Sequence, residues 1–85
     1  MHRATEQFWQ RYNDLPGEVR ARADKAFGLL RSNPSHPSLQ FKRVGDFWSA
    51  RVDLACRALA VEDEGDFIWV WIGLHDEYER ILKGR

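Results

Sequence analysis

An excess of charge of either sign is missing from this 85-residue chain. Thirteen Lys and Arg balance thirteen Asp and Glu, so net charge excludes a histone-like or polybasic binder. Cysteine is nearly absent. Cys56 alone cannot form an intramolecular disulfide, which fits a reducing, cytoplasmic setting. No apolar run approaches the ~20 residues that span a bilayer, so no membrane partner is expected. The opening Met1-His2-Arg3-Ala4-Thr5-Glu6-Gln7 has no apolar signal core, and no export is expected. His2, His36 and His75 lack metal-ligand spacing, and Cys56 has no histidine near it in sequence, so no metal site is expected. There is no Gly-rich phosphate loop and no Gly-x-Ser-x-Gly elbow, and no cofactor is expected. Repeats and low-complexity stretches are also absent.

What remains is a globular composition, 44% hydrophobic and 31% charged. The length admits one domain, residues 1–85, because a second core would not fit. A chain this size buries only about 60–65% of its unfolded surface, so it needs dense packing or a partner. Four Trp, two Tyr and five Phe supply a large packing payload for so few residues.

Periodicity divides the chain into an α half and a β half. Phe8, Trp9, Tyr12 and Leu15 recur at helical spacing over residues 5–14. Leu15-Pro16-Gly17 breaks the chain, and Pro16 suits the first turn of a second helix. That helix reaches Ser32 on a stripe of Val19, Ala23, Ala26, Phe27 and Leu30, and Asn33-Pro34 ends it. After Pro37 the period becomes two. Leu39 to Val44 reads as a first strand and Gly45-Asp46 as a turn. In a second strand Trp48, Ala50, Val52 and Leu54 share one face, and Phe47, Ser49, Arg51 and Asp53 the other. Residues 53–55 turn the chain into a third strand, Arg57 to Val61. Residues 62–66 form an acidic hairpin loop. Phe67 to Ile72 is apolar on both faces, hence a strand covered on both sides, and Gly73 ends it. A last helix runs from His75 or Asp76 to Lys83, with Tyr78, Ile81 and Leu82 inward and Gly84 as its stop. The expectation is an α+β fold: an N-terminal helical hairpin, a four-stranded antiparallel β-sheet meander with the helices on one face, and a C-terminal helix.

The informative polar cluster is basic. Lys42 and Arg43 end the first strand. Arg51 and Arg57 approach each other if the 53–55 turn forms. Like charges directly opposite are destabilising. Either Asp53 neutralises them or an anion such as phosphate binds there, since the guanidinium fork matches phosphate oxygens; both readings stand. His75, at a helix start, either caps the helix or accepts a proton from a hydroxyl near neutral pH. Tyr78, three residues on, shares that helix face and either anchors it or takes part in the chemistry. Cys56, in apolar company, reads as a small buried residue.

Four stretches together resemble the RelE/ParE toxin superfamily, over about Phe8 to Leu82. They are Pro34-x-His36-Pro37-Ser38-Leu39-x-Phe41-Lys42-x-Val44, Phe47-Trp48-Ser49-x-Arg51-Val52, Arg57-Ala58-Leu59-Ala60-Val61 and Trp69-x-Trp71-Ile72-Gly73-x-His75-x-Glu77-Tyr78. The resemblance implies the toxin half of a bacterial type II toxin–antitoxin pair, held silent by a cognate antitoxin. It implies a ribosome-dependent mRNA interferase, an endoribonuclease working by attack of a 2′-hydroxyl on phosphate without a metal and so repressing translation. Carried over, Arg51 and Arg57 hold phosphate, His75 does acid–base work and Tyr78 orients the nucleotide or shares proton transfer, while Lys42 and Arg43 contact RNA. Many members open with a β-strand, which this chain reads as lacking. Two alternatives stay open: a ParE-like inhibitor of DNA gyrase, and a non-catalytic domain of the same fold that binds an antitoxin or a second copy of itself as a homodimer. The Leu39–Val44 strand, expected at a sheet edge, offers a partner unpaired backbone groups.

Overall fold

The computed structural model describes residues 2–83. The elements run β1 (His2–Ala4), α1 (Glu6–Asn13), α2 (Gly17–Ser32), a 3₁₀ turn (Pro37–Leu39), β2 (Lys42–Val44), β3 (Phe47–Asp53), β4 (Cys56–Asp63), β5 (Asp66–Leu74) and α3 (His75–Lys83). Thr5 caps α1 by accepting the Phe8 N–H at 3.2 Å. α3 carries Asp76 and Glu77 in its first turn and Arg80 and Lys83 in its last, each favoured by the helix dipole. The expected stop at Gly84 lies outside the described residues.

The sheet departs from the expected four antiparallel strands. It has five, in the order β1-β5-β4-β3-β2, and it is mixed. β2 to β5 form the antiparallel meander, while β1 adds in parallel to β5, His2 opposite Phe67 and Ala4 opposite Trp69. The chain therefore opens on a strand, and its helices come after one. Three residues are too few to show alternation, and β1 is fixed by contacts from the far end of the chain. Trp69 Nε1 donates to His2 Nδ1 at 3.1 Å, Arg3 pairs with Asp66 at 2.8 Å, and Thr5 N–H donates to the Trp69 carbonyl at 3.0 Å.

Strand boundaries also move. Leu39 lies in the 3₁₀ turn, where it is buried, so the edge strand β2 is only Lys42–Val44. β4 begins at Cys56 rather than Arg57 and runs to Asp63, and β5 starts at Asp66, so the acidic loop expected over 62–66 shrinks to Glu64 and Gly65, with Glu62, Asp63 and Asp66 in the strands. β5 runs through Gly73 to Leu74 rather than ending at Gly73.

The helices occupy both faces of the sheet, not one. Phe8, Ala23, Ala26 and Leu30 of the helical hairpin cluster with Ala50, Ala58, Ala60, Trp69 and Ile72. Alanines on both sides of that contact let backbone approach backbone, leaving room for the indole of Trp69. On the opposite face α3 packs Tyr78, Ile81 and Leu82 against Leu59 and Trp71. β5 thus buries Trp69 on one side and Trp71 on the other, and a bulge between Leu59 and Ala60 sets the two out of simple alternation. Arg11 links the layers, its guanidinium 5.3 Å from the Trp71 ring centre and 3.5 Å from the Glu77 carboxylate.

Gly73 is required by packing. A Cβ there would lie 2.6 Å from Cζ2 of Trp71. Gly73→Ala is expected to push the indole out of place and cost about 1–3 kcal/mol in urea unfolding. The His2 ring, stacked on Phe67 and Trp69, has its pKa held below 6.5 by burial first and by the Arg31 charge. The unfolded chain then binds more protons below pH 6.5, so stability is full above that value and falls as pH drops through the lower folded pKa. Thermal unfolding between pH 7.5 and 5 is expected to show this loss, and His2→Asn to flatten it.

Candidate active site

The β3–β4 hairpin places Arg51 directly opposite Arg57. The carboxylate that could neutralise them goes elsewhere. A register shift between Arg51 and Asp53 turns Asp53 away, so its carboxylate pairs with Arg22 of α2 at 3.1 Å and accepts the Ala55 N–H at 2.8 Å. The same turn leaves Leu54, expected on the core face, 82% exposed. Arg57 is held by backbone instead: its Nη1 donates to the Asp53 carbonyl at 2.7 Å and the Cys56 carbonyl at 3.1 Å. Among the described residues no carboxylate forms an ion pair with Arg51, Arg57 or Lys42. Two facing guanidinium groups with no counter-ion make a site that an oxyanion relieves.

The pair opens into a cavity of about 260 Å³ lined by Gln40, Lys42, Ser49, Arg51, Arg57, His75, Tyr78 and Glu79. Lys42 reaches it because β2 sets Lys42 opposite Ser49, two residues before Arg51 on the same face. His75 is brought in by its own backbone: its N–H donates to the Ala55 carbonyl at 2.8 Å, tying the start of α3 to the β3–β4 turn. Its Nε2 lies 3.4 Å from the Glu79 carboxylate, one helical turn on. Tyr78, its ring 5.7 Å from that of His75, is buried, and its hydroxyl accepts from Ser49 Oγ at 3.1 Å.

Lys42, Arg51, Arg57, His75 and Tyr78 are therefore brought together as expected. Arg43 is not. It alternates to the other side of β2, pairs in register with Trp48, and donates from Nε to the Gly45 carbonyl at 3.2 Å. Cys56 is buried and burial pushes its thiol up to about 11, so it is no nucleophile at neutral pH.

Three cavity residues escaped the sequence. Glu79 was legible as the residue four after His75 on a helix. Ser49 was hidden because its role depends on a hydroxyl from another element. Gln40 has the spacing of a strand residue, whereas it follows the 3₁₀ turn in the left-handed conformation, φ 45° and ψ 42°. A second cavity of about 290 Å³ lies by β1 and the helical hairpin, lined by His2, Phe8, Trp9, Phe27, Arg31 and Trp69 among others. There the imidazole is already engaged by Trp69.

This architecture is the RelE/ParE-type toxin fold. The chain is similar to a chain of the RelB–RelE antitoxin–toxin complex from Methanococcus jannaschii, with a TM-score of 0.72 at 12% identity over 93% of this chain and 96% of that one. YafQ from E. coli gives 0.68 at 10% identity over 92% and 96%. The RelBE2 toxin–antitoxin complex from Mycobacterium tuberculosis gives 0.64 at 22% identity over 88% and 96%. No family profile and no curated protein matches the sequence. At such identities the likeness carries the fold.

Tyr78→Phe removes the acceptor of the buried Ser49 hydroxyl. It is expected to cost about 1–3 kcal/mol in urea unfolding, with much of the loss recovered by adding Ser49→Ala.

Proposed function

We propose that this chain, as one domain, is the toxin of a type II toxin–antitoxin pair, and that its cationic cavity cleaves messenger RNA on the ribosome. The observation that carries this reading is the Arg51–Arg57 pair, facing across the hairpin without a carboxylate and opening into the same cavity as His75.

The reaction is attack of a ribose 2′-oxygen on the adjacent phosphorus. The O2′–P bond forms and the P–O5′ bond breaks, leaving a 2′,3′-cyclic phosphate and a free 5′-hydroxyl. His75, with Glu79 beside it, takes the proton from the 2′-hydroxyl. Arg51 and Arg57 bind the non-bridging oxygens, whose charge grows as phosphorus becomes five-coordinate. Arg57 meets that charge already in position, since two backbone carbonyls hold its Nη1. Tyr78 accepts from Ser49 and keeps its own O–H to give, so it supplies the proton for the departing O5′. Lys42, at the exposed rim, draws in the next phosphate. A cognate antitoxin is the protein partner that holds such a site silent. The solved complexes of this fold from Methanococcus jannaschii and Mycobacterium tuberculosis pair toxin with antitoxin.

The test is primer extension on messages bound to purified ribosomes. Removing a donor to developing charge lowers a rate by roughly 100- to 1,000-fold, and removing a positioned acid or base by roughly 100- to 10,000-fold. Arg57→Ala and His75→Ala are each expected to lower cutting by at least ~100-fold on this basis. Wild-type cutting that neither change reduces rejects the assignment. Inhibition of gyrase supercoiling with messages left intact points instead to the ParE-like activity.

A further inference from the structure

We infer that Gln40 selects the base beside the scissile phosphate, and that the base is adenine. This rests on the nuclease reading of the cavity. Lys42, Arg51 and Arg57 answer to phosphate, and His75, Tyr78 and Glu79 to proton transfer. Ser49 is spent on Tyr78. Gln40 is the cavity residue with no place in that chemistry. Its side chain makes no hydrogen bond among the described residues. It is exposed at the rim, two residues along the chain from Lys42, and lines the same cavity as the arginines that take the phosphate.

The backbone under it is unusual for a residue with a side chain. Gln40 sits at a φ of 45°, a position that glycine fills most easily. It is held there by the turn that precedes it. Leu39 before it is buried, and its own N–H donates to the Pro37 carbonyl at 3.3 Å. The His36 ring closes the 3₁₀ turn by accepting the Ser38 N–H at 3.2 Å. A terminal amide is thus carried by a held backbone at the rim of a cationic pocket. Non-glycine residues in this conformation concentrate at functional sites.

An amide offers one donor group and one acceptor side by side. The Watson–Crick edge of every splayed base matches that pair, but adenine alone matches it on the Hoogsteen edge, N6–H with N7, and that edge is the one the amide reads. A carboxylate in its place only accepts, and on a splayed base fits the adjacent N1–H and N2–H donors of guanine.

The probe is a set of messages on purified ribosomes that carry each base in turn on either side of the cut. The wild-type chain is expected to favour adenine at one flank by roughly 5- to 150-fold. Gln40→Gly removes the amide while easing the backbone, so folding is kept. It is expected to bring the four bases to within about twofold of one another once this discrimination is lost. Gln40→Glu is expected to move the preference to guanine. A wild-type chain that cuts all four equally, or a preference that survives both substitutions, overturns the role of Gln40 alone. A wild-type chain that cuts no message overturns the nuclease reading, and this inference with it.

Discussion

Two like charges facing each other across a hairpin are the constraint from which the rest of the site follows. Arg51 and Arg57 occupy one register position. In a sheet such a pair is unfavourable unless something of opposite charge lies between. The nearest carboxylate is removed by the backbone itself: the irregularity after Arg51 sends Asp53 toward Arg22 on the helical side. Arg57 is then fixed by carbonyl oxygens, which orient a guanidinium without cancelling its charge. Holding one cation rigidly beside another costs stability in the empty protein. The same arrangement lowers the energy of an incoming oxyanion, because no ion pair has to be broken first.

The sheet makes this placement possible by burying aromatic rings on both sides. Trp69 looks toward the helical hairpin and Trp71 toward α3. With both faces of β5 occupied, β4 is fixed in depth, and with it Arg57. Gly73, the residue paired with Arg57, leaves its face to the Trp71 ring. The indole N–H of Trp71 is buried without a hydrogen-bond partner among the described residues. That is an ordinary cost of using a tryptophan as filler. α3 is fastened through few polar points, chiefly His75 N–H to Ala55 and the Ser49–Tyr78 hydroxyl pair. Each of these also borders the cavity, so the bonds that dock the helix are the ones that shape the site.

Much of this was legible in the residues. Alternation along Phe47 to Asp53 put Arg51 on the face away from Trp48 and Ala50, and the short turn at 53–55 put Arg57 across from it. The two-sided apolarity of Phe67 to Ile72 correctly implied a strand covered on both faces. That same fact was at odds with helices on one face only, and α3 resolves the conflict by taking the other side. Other features were beyond local pattern. β1 exists because His2 and Arg3 find partners more than sixty residues away. Leu39 has the spacing of a strand residue, but Pro37 fixes a turn and the burial of Leu39 completes it. Arg43 was grouped with Lys42 by proximity, yet adjacent strand residues point to opposite faces, so only one of two neighbouring cations could enter the cavity.

Net neutrality and a cationic site are compatible because the charges are segregated along the strands. Successive antiparallel hairpins turn at alternate ends of a sheet. The Leu54–Ala55 turn therefore lies at one end of β4, and the acidic turn beyond Glu62 and Asp63 at the other. Arg57 and Glu62 are five residues apart on one strand, roughly 16 Å at the usual rise. That is about twice the screening length at physiological salt, ~8 Å, so the acidic tip does little to offset the potential around the arginine pair. Within the cavity three cations face one carboxylate, Glu79, which is itself engaged by His75. The chain as a whole gains the solubility of mixed surface charge without the indiscriminate attraction to nucleic acid that a polybasic protein carries. Uncompensated positive charge is instead gathered where Lys42, Arg51 and Arg57 line one cavity, so an oxyanion is drawn there although the chain carries no net charge.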